Sequence, residues 1–200
     1  MMKPSQLVYF DIDTQFDFMH PEGQLYVPGA ETLTEVLQAL LQHAHQHQIP
    51  VLASADAHEP DDPEFATFPP HCVKNTAGQR KLDLTHMPGA VTVPAQGPCP
   101  DLSQTQAVVL EKTVFDVFGN PHTEAILASL GAQEAVVFGV ATDYCVKAAA
   151  LGLKQRGYQV TVVTDAIKAV TPAGEQAALQ AFAEAGITLA TSSDILRRQP

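Results

Sequence analysis

The chain is poor in cationic side chains, poor in cysteine and devoid of tryptophan, and no stretch of it stays apolar long enough to cross a bilayer. Eleven Lys and Arg stand against twenty-two Asp and Glu, a formal charge of -11. Such a surface repels phosphate backbones and anionic lipid, so neither nucleic acid nor a membrane is expected as a partner. Three cysteines, an odd number without compact spacing, do not make a disulfide framework and suit a reducing compartment. At least one thiol is then free for chemistry. A strand-like segment begins almost at once, with no charged leader or small-residue cleavage site before it, so a cytoplasmic location is expected.

What is present is a chain of 200 residues, 46% of them apolar, which can bury a sizeable core and falls within the size of one domain, read here as residues 1–200. Leu7 to Ile12, Val51 to Ala55 and Ala135 to Val140 are short apolar runs between polar or turn residues, as expected of strands buried on both faces. Ala107 to Leu110, Gln159 to Thr164 and Ile187 to Ala190 are similar, which predicts about six strands. Between them lie helical patterns, the clearest formed by Leu33, Val36, Leu37, Leu40, Leu41 and Ala44. Asn120-Pro121 and Thr171-Pro172 read as helix starts, Gly131 and Gly186 as helix stops. The alternation predicts an α/β fold of three layers, α-β-α, around a central, mostly parallel sheet. Sites in such sheets form at the carboxyl ends of strands. Glu59 to Pro100, rich in Pro, Gly and polar residues, breaks the rhythm and reads as a long functional loop.

Cys145 follows the run Ala135 to Val140 closely and precedes the helical spacing Val146, Ala149, Ala150, Leu153. A helix N-terminus there would favour the thiolate, lowering its pKa from about 8.5, and its N–H groups could hold an oxyanion. Cys72 and Cys99 read as structural or incidental. Asp11, Asp13 and Asp17 cluster at the end of the first strand, where alternation sends Asp11 and Asp13 to one side and one carboxylate could serve as acid and base. A solvated loop and a helix cap would account for Asp17, and for Asp11 as well. Lys112, just after the run Ala107 to Leu110, reaches the same sheet edge and would stabilise both carboxylate and thiolate. Asp56 and His58 after the second strand, with Glu64 and His71 in the long loop, make a ligand set suited to Zn²⁺, Mn²⁺ or Fe²⁺. His43, His45 and His47 read as a polar helix end.

Together these segments resemble the isochorismatase-like cysteine hydrolases, and among them the nicotinamidases. Phe10-Asp11-Ile12-Asp13-Thr14-Gln15-Phe16-Asp17-Phe18 resembles the family's D-x-Q-x-D-F strand, which implies that Asp13 is the catalytic acid and base. Asp56-Ala57-His58 with Phe68-Pro69-Pro70-His71-Cys72 is similar to the nicotinamidase metal motif, and Glu64 stands where some of those enzymes supply a fourth ligand. Glu111-Lys112 matches the segment of the catalytic lysine, and Gly139-Val140-Ala141-Thr142-Asp143-Tyr144-Cys145-Val146 the nucleophile motif. The resemblance implies a cis Val140-Ala141 bond that aims the N–H groups of Ala141 and Cys145 at the oxyanion. It also implies one divalent metal, zinc before manganese or iron, and a small amide substrate, nicotinamide first. Relatives acting on isochorismate, or on ureido and carbamoyl compounds, generally lack this ligand set. With no tryptophan, the aromatic wall of the substrate pocket falls to Phe68, facing Phe18. Homo-oligomerisation is left open.

Overall fold

The apolar runs that alternate with helical patterns form strands of one sheet. They are β1 (Leu7–Ile12), β2 (Val51–Asp56), β3 (Val91–Val93), β4 (Ala107–Lys112), β5 (Glu134–Val140), β6 (Gln159–Lys168) and β7 (Thr188–Ala190). The computed structural model describes residues 2–198. Its seven strands lie in the order β3-β4-β2-β1-β5-β6-β7, every pair parallel. That is one more than the six predicted. The addition, β3, is an edge strand of three residues inside the long loop, too short to show any period.

Six helices complete the layers: α1 (Phe16–Met19), α2 (Thr34–Gln46), α3 (Thr123–Leu130), α4 (Lys147–Gln155), α5 (Pro172–Glu184) and α6 (Ser192–Leu196). Alternation along β1 divides the core in two. Val8, Phe10 and Ile12 pack with Ile126, Leu127, Ala149, Leu153 and Phe182 of α3, α4 and α5. Tyr9 belongs to the opposite layer, with Leu37, Leu40 and Leu41 of α2 and Ile195 of α6. Each buried Val, Leu, Ile or Phe among them contributes roughly 1.5–3 kcal/mol relative to exposure. His43 joins this second layer rather than a polar helix end, because its Nδ1 lies 3.0 Å from the buried Tyr9 hydroxyl. Among the described residues no helix is long and apolar enough to cross a membrane.

Local signals fix some of the helix ends. Thr171 Oγ1 accepts from Gly174 N at 3.0 Å with Pro172 opening α5, and Gly131 closes α3 at φ 68°. Asn120 caps the turn into α3 as predicted, its Oδ1 accepting from His122 N at 2.9 Å, although α3 itself starts at Thr123. Its Nδ2 also donates to Val93 O at 3.0 Å and Glu111 O at 2.9 Å, sewing β3 to β4.

The stretch after Glu59 is less irregular than its composition predicts. It contains short 3₁₀ turns at Pro63–Ala66 and Asp83–Thr85 besides β3. Two buried acids hold it to the end of β1. Asp17 accepts from Cys72 N at 2.7 Å, and Asp11 pairs with Lys81 at 3.0 Å while accepting from Thr14 Oγ1 at 2.9 Å. Neither acid lies in a solvated loop, since Asp11 and Asp17 are both buried. From β1 the chain builds outward through β2 and β4 on one side and through β5, β6 and β7 on the other. The crevice at the carboxyl ends, where that direction reverses, is where such sheets bind ligands.

Candidate active site

Asp13 stands one residue beyond β1, where the chain turns with φ 48° at a non-glycine residue. Left-handed backbone is tolerated by Asp better than by most side chains, and it clusters at functional sites. The turn breaks the strand's alternation, so Asp11 and Asp13 do not share a site as predicted. Asp11 faces Lys81, whereas Asp13 Oδ2 accepts from Lys112 Nζ at 2.8 Å and Oδ1 from Ser54 Oγ at 2.6 Å. Lys112 ends β4. Its ammonium also donates to Asp56 Oδ1 at 2.5 Å and lies 3.6 Å from Cys145 Sγ. The structure therefore brings Asp13, Lys112 and Cys145 together from three separate segments, all buried.

Cys145 lies in a single π-helical turn, Thr142–Val146, that leads into α4. Such turns are rare and are found mostly at functional sites. The Val140-Ala141 peptide before it is cis. Gly139 has φ 114°, and a Cβ there would stand 2.1 Å from Ile12 O, so only glycine lets β5 approach β1 this closely.

Burial sets the charge states. It pushes the Cys145 thiol well above its ordinary value, outweighing the Lys112 ammonium, and it raises Asp13 as well despite Lys112. The predicted lowering of the thiol by a helix N-terminus is thus not seen, because desolvation of a fully enclosed sulfur dominates. Burial opposes charge on Lys112, and the Asp13 and Asp56 carboxylates override it and raise the ammonium's pKa. Burial likewise opposes ionisation of Asp56, but Lys112 and His58 hold that carboxyl below its usual range.

Asp56 is the hinge between two clusters. Its Oδ1 faces Lys112, while Oδ2 lies 3.8 Å from His58 Nε2 and 3.9 Å from His71 Nε2. Potential ligand atoms of Asp56, His58 and His71 all fall within 4.8 Å of one another. His58 Nδ1 meets Asp62 Oδ2 at 3.0 Å and His71 Nδ1 meets Pro69 O at 2.8 Å. Both partners are pure acceptors, so each Nδ1 donates and Nε2 is the nitrogen turned towards Asp56. Burial opposes charge on His58, but the Asp56 and Asp62 carboxylates raise its imidazole to about 9, so a metal binding there would displace the Nε2 proton. His58 Nε2 is buried without any hydrogen-bond partner. An orphaned imidazole nitrogen beside a second imidazole and a carboxylate fits a divalent metal of the zinc, manganese or iron type. Glu64 groups instead with His58 and Asp62, and burial raises its carboxyl above the usual value.

One cavity joins the two clusters, lined by Asp13, Asp56, Glu64, His71, Ala141 and Cys145 and by a largely apolar wall. Phe18 and Phe68 are part of that wall, and Phe115, Tyr144 and Val170 complete it. Phe115 and Tyr144 stack edge-on at 5.3 Å, and each meets Phe68 in the same manner. Sequence reasoning missed both. It also missed Ser54, Asp62 and the task of Gln15, whose side chain bonds Asp56 on both backbone groups, at 2.7 and 2.9 Å. Only Asp62 left a local signal, an acid before proline that caps a turn. Cys72 is buried and Cys99 exposed, and neither joins the cavity wall.

The profile of the Isochorismatase domain matches residues 8–194. The nicotinamidase of Escherichia coli is 29% identical, with 92% of this chain and 93% of that one covered. Among solved structures, the pyrazinamidase of Pyrococcus horikoshii in complex with zinc has a TM-score of 0.80 at 26% identity, covering 94% of this chain and 99% of that one. PnC1 from L. infantum in complex with nicotinate has a TM-score of 0.79 at 27% identity, with 96% of each chain covered. With nearly the whole chain matched by one family profile and the same fold in its structural neighbours, the protein belongs to the isochorismatase family of hydrolases and is similar over most of its length to nicotinamidases.

Proposed function

We propose that the protein is a metal-assisted cysteine amidohydrolase that converts nicotinamide to nicotinate and ammonia, with residues 1–200 acting as one hydrolase domain. The observation that carries this reading is the shared cavity: the Cys145 thiol and Asp13 carboxylate, with the Lys112 ammonium behind them, face the Asp56 carboxylate and His71 imidazole, with His58 behind those, between aromatic walls. The similarity to the E. coli nicotinamidase and to the nicotinate-bound PnC1 supports the substrate. The apolar wall favours a flat ring over a ureido or carbamoyl chain, which would bring polar groups needing partners.

Asp13 accepts the Cys145 proton, a role suited to a carboxyl whose pKa burial has raised. Lys112, which holds Asp13 and lies beside Sγ, compensates whichever of the two is anionic. The sulfur attacks the carboxamide carbon, and the N–H groups of Ala141 and Cys145 hold the oxyanion. Collapse breaks the C–N bond as Asp13 returns its proton to the leaving nitrogen, giving ammonia and an acyl-thioester. Asp13 then takes a proton from water, which attacks the thioester. Nicotinate leaves and the proton returns to Cys145. Asp56, His58 and His71, with Glu64 at the edge, would hold the divalent ion, zinc first, which supplies a Lewis-acid position for the pyridine nitrogen. Phe18 and Phe68 flank the ring. The free thiols and anionic surface suit work in the cytoplasm.

Ammonia release from nicotinamide, pyrazinamide and ureido compounds tests the substrate, and Cys145→Ala tests the scheme. Turnover confined to aromatic carboxamides and lost in the variant is expected. Preference for a ureido compound would replace nicotinamide, and full activity of Cys145→Ala would overturn the covalent route.

A further inference from the structure

We propose that Asp62 is the positioning residue of the ion site, fixing the His58 ring through one carboxylate oxygen and the Glu64 backbone through the other. The inference rests on the reading of Asp56, His58 and His71 as metal ligands. His58 is wholly buried, and its Nδ1 lies 3.0 Å from Asp62 Oδ2, one helical turn further along the sequence. A carboxylate there can only accept. It therefore keeps a proton on Nδ1 and leaves Nε2 as the nitrogen that faces His71 and Asp56 and can ligate. His71 obtains the same arrangement from a backbone carbonyl, Pro69 O, which no side-chain substitution removes. Among the described residues Asp62 is thus the side chain that hydrogen-bonds the Nδ1 of a ligand imidazole.

The other oxygen does separate work. Asp62 Oδ1 accepts from Glu64 N at 2.9 Å and caps the turn Pro63–Ala66, with Pro63 at its first position. Glu64, which lines the cavity, is carried by that turn. Asp62 itself does not line the cavity, so it acts through its neighbours and touches neither substrate nor reacting atoms.

The two tasks respond differently to Asp62→Asn. An asparagine has one acceptor oxygen. If it keeps the cap, its amide N–H₂ faces His58 Nδ1, which must then accept, and the ring proton moves to Nε2, where it blocks the ligand lone pair. If the oxygen stays with His58, the cap is lost. A residue needed only to cap the turn would tolerate Asn, which caps as well as Asp. The positioning role does not.

The test is zinc affinity, measured by competition with a chromophoric chelator on the full-length parent, Asp62→Asn and Asp62→Ala. Nitrogen-15 spectra of the histidines in the metal-free proteins, recorded as a function of pH, report which ring nitrogen carries the proton in the neutral form. A loss of about 10- to 100-fold in zinc affinity is expected for both variants, with the His58 signal of Asp62→Asn changed from its parent tautomer. Zinc affinity within error of the parent in Asp62→Asn overturns the inference alone. A parent protein that binds no zinc overturns the metal reading and this inference with it. Should Asp62→Ala fail to fold, the near-isosteric Asn variant carries the test.

Discussion

Asp17 offers the sharpest stability prediction, because its two carboxylate oxygens serve donors in different surroundings. Oδ2 accepts from Cys72 N at 2.7 Å, and Cys72 is fully buried; Oδ1 accepts from Gln24 N at 3.0 Å, on an exposed residue. In Asp17→Ala the Gln24 amide turns to water at little cost, whereas the Cys72 amide is orphaned in the interior. A hydrogen bond to a charged group is worth about 1.5–3 kcal/mol, and the stranded donor adds its own desolvation, so a loss of about 2–4 kcal/mol is expected. Water cannot easily refill the space, since a Cβ at Gly78 would stand 2.1 Å from Oδ2 and the chain closes tightly around the acid. Asp17→Asn can keep its single acceptor oxygen on Cys72 and should lose only about 1 kcal/mol. Urea denaturation of the metal-free protein at neutral pH, fitted with an unchanged m-value, measures both. Because Cys72 follows His71 directly, the Ala variant should also bind zinc more weakly. A loss below about 0.5 kcal/mol, the level of an ordinary surface change, would refute the reasoning. Equal losses for Asn and Ala would refute the division between the two donors.

Three further outcomes are expected. Gly139→Ala should lose about 3 kcal/mol or more, since the new Cβ meets the β1 backbone at a φ that L-residues rarely adopt; a thermal midpoint equal to the parent's would count against the close approach. In the ligand-free protein at pH 7, Ellman's reagent should modify exposed Cys99 well before Cys145, whose thiol is enclosed and pushed up by burial, and alkaline pH should speed the Cys145 reaction. Equal rates at the two thiols would contradict that charge state. Removal of bound metal with a chelator should abolish ammonia release, and zinc, manganese or ferrous ion should restore it; full activity in demonstrably metal-free protein would detach the Asp56 cluster from the reaction.

The sequence exposes what is local and repetitive. β1 is legible residue for residue as an apolar run, and Thr171-Pro172 and Gly131 mark helix ends through chemistry contained in a few neighbouring residues. Three motifs sufficed to assemble Asp13, Lys112 and Cys145 at one sheet edge, because parallel topology carries every strand's carboxyl end to the same side. What stays hidden depends on partners far along the chain. Ser54 meets Asp13 across 41 residues, and Gln15 meets Asp56 across the same span. Asn120 is legible as a cap, a task its Oδ1 performs on His122 N, but its second task, donating to the carbonyls of Val93 and Glu111, is not. The Cys145 prediction failed on magnitude: the helix terminus was weighed, but the depth of burial that defeats it is a property of the packed fold.

The sheet order also has a consequence for how the protein is made. Of the strands, β1 leaves the ribosome first, yet it lies between β2 and β5 and pairs along its full length with residues Glu134 to Gly139. At about 5–20 residues per second, Glu134 follows Leu7 by roughly 6–25 s. Throughout that interval one edge of an apolar strand stays open, a template for pairing with other nascent chains. Fragments ending before Glu134 therefore lack the strand that closes β1 and should aggregate more readily than the 200-residue chain.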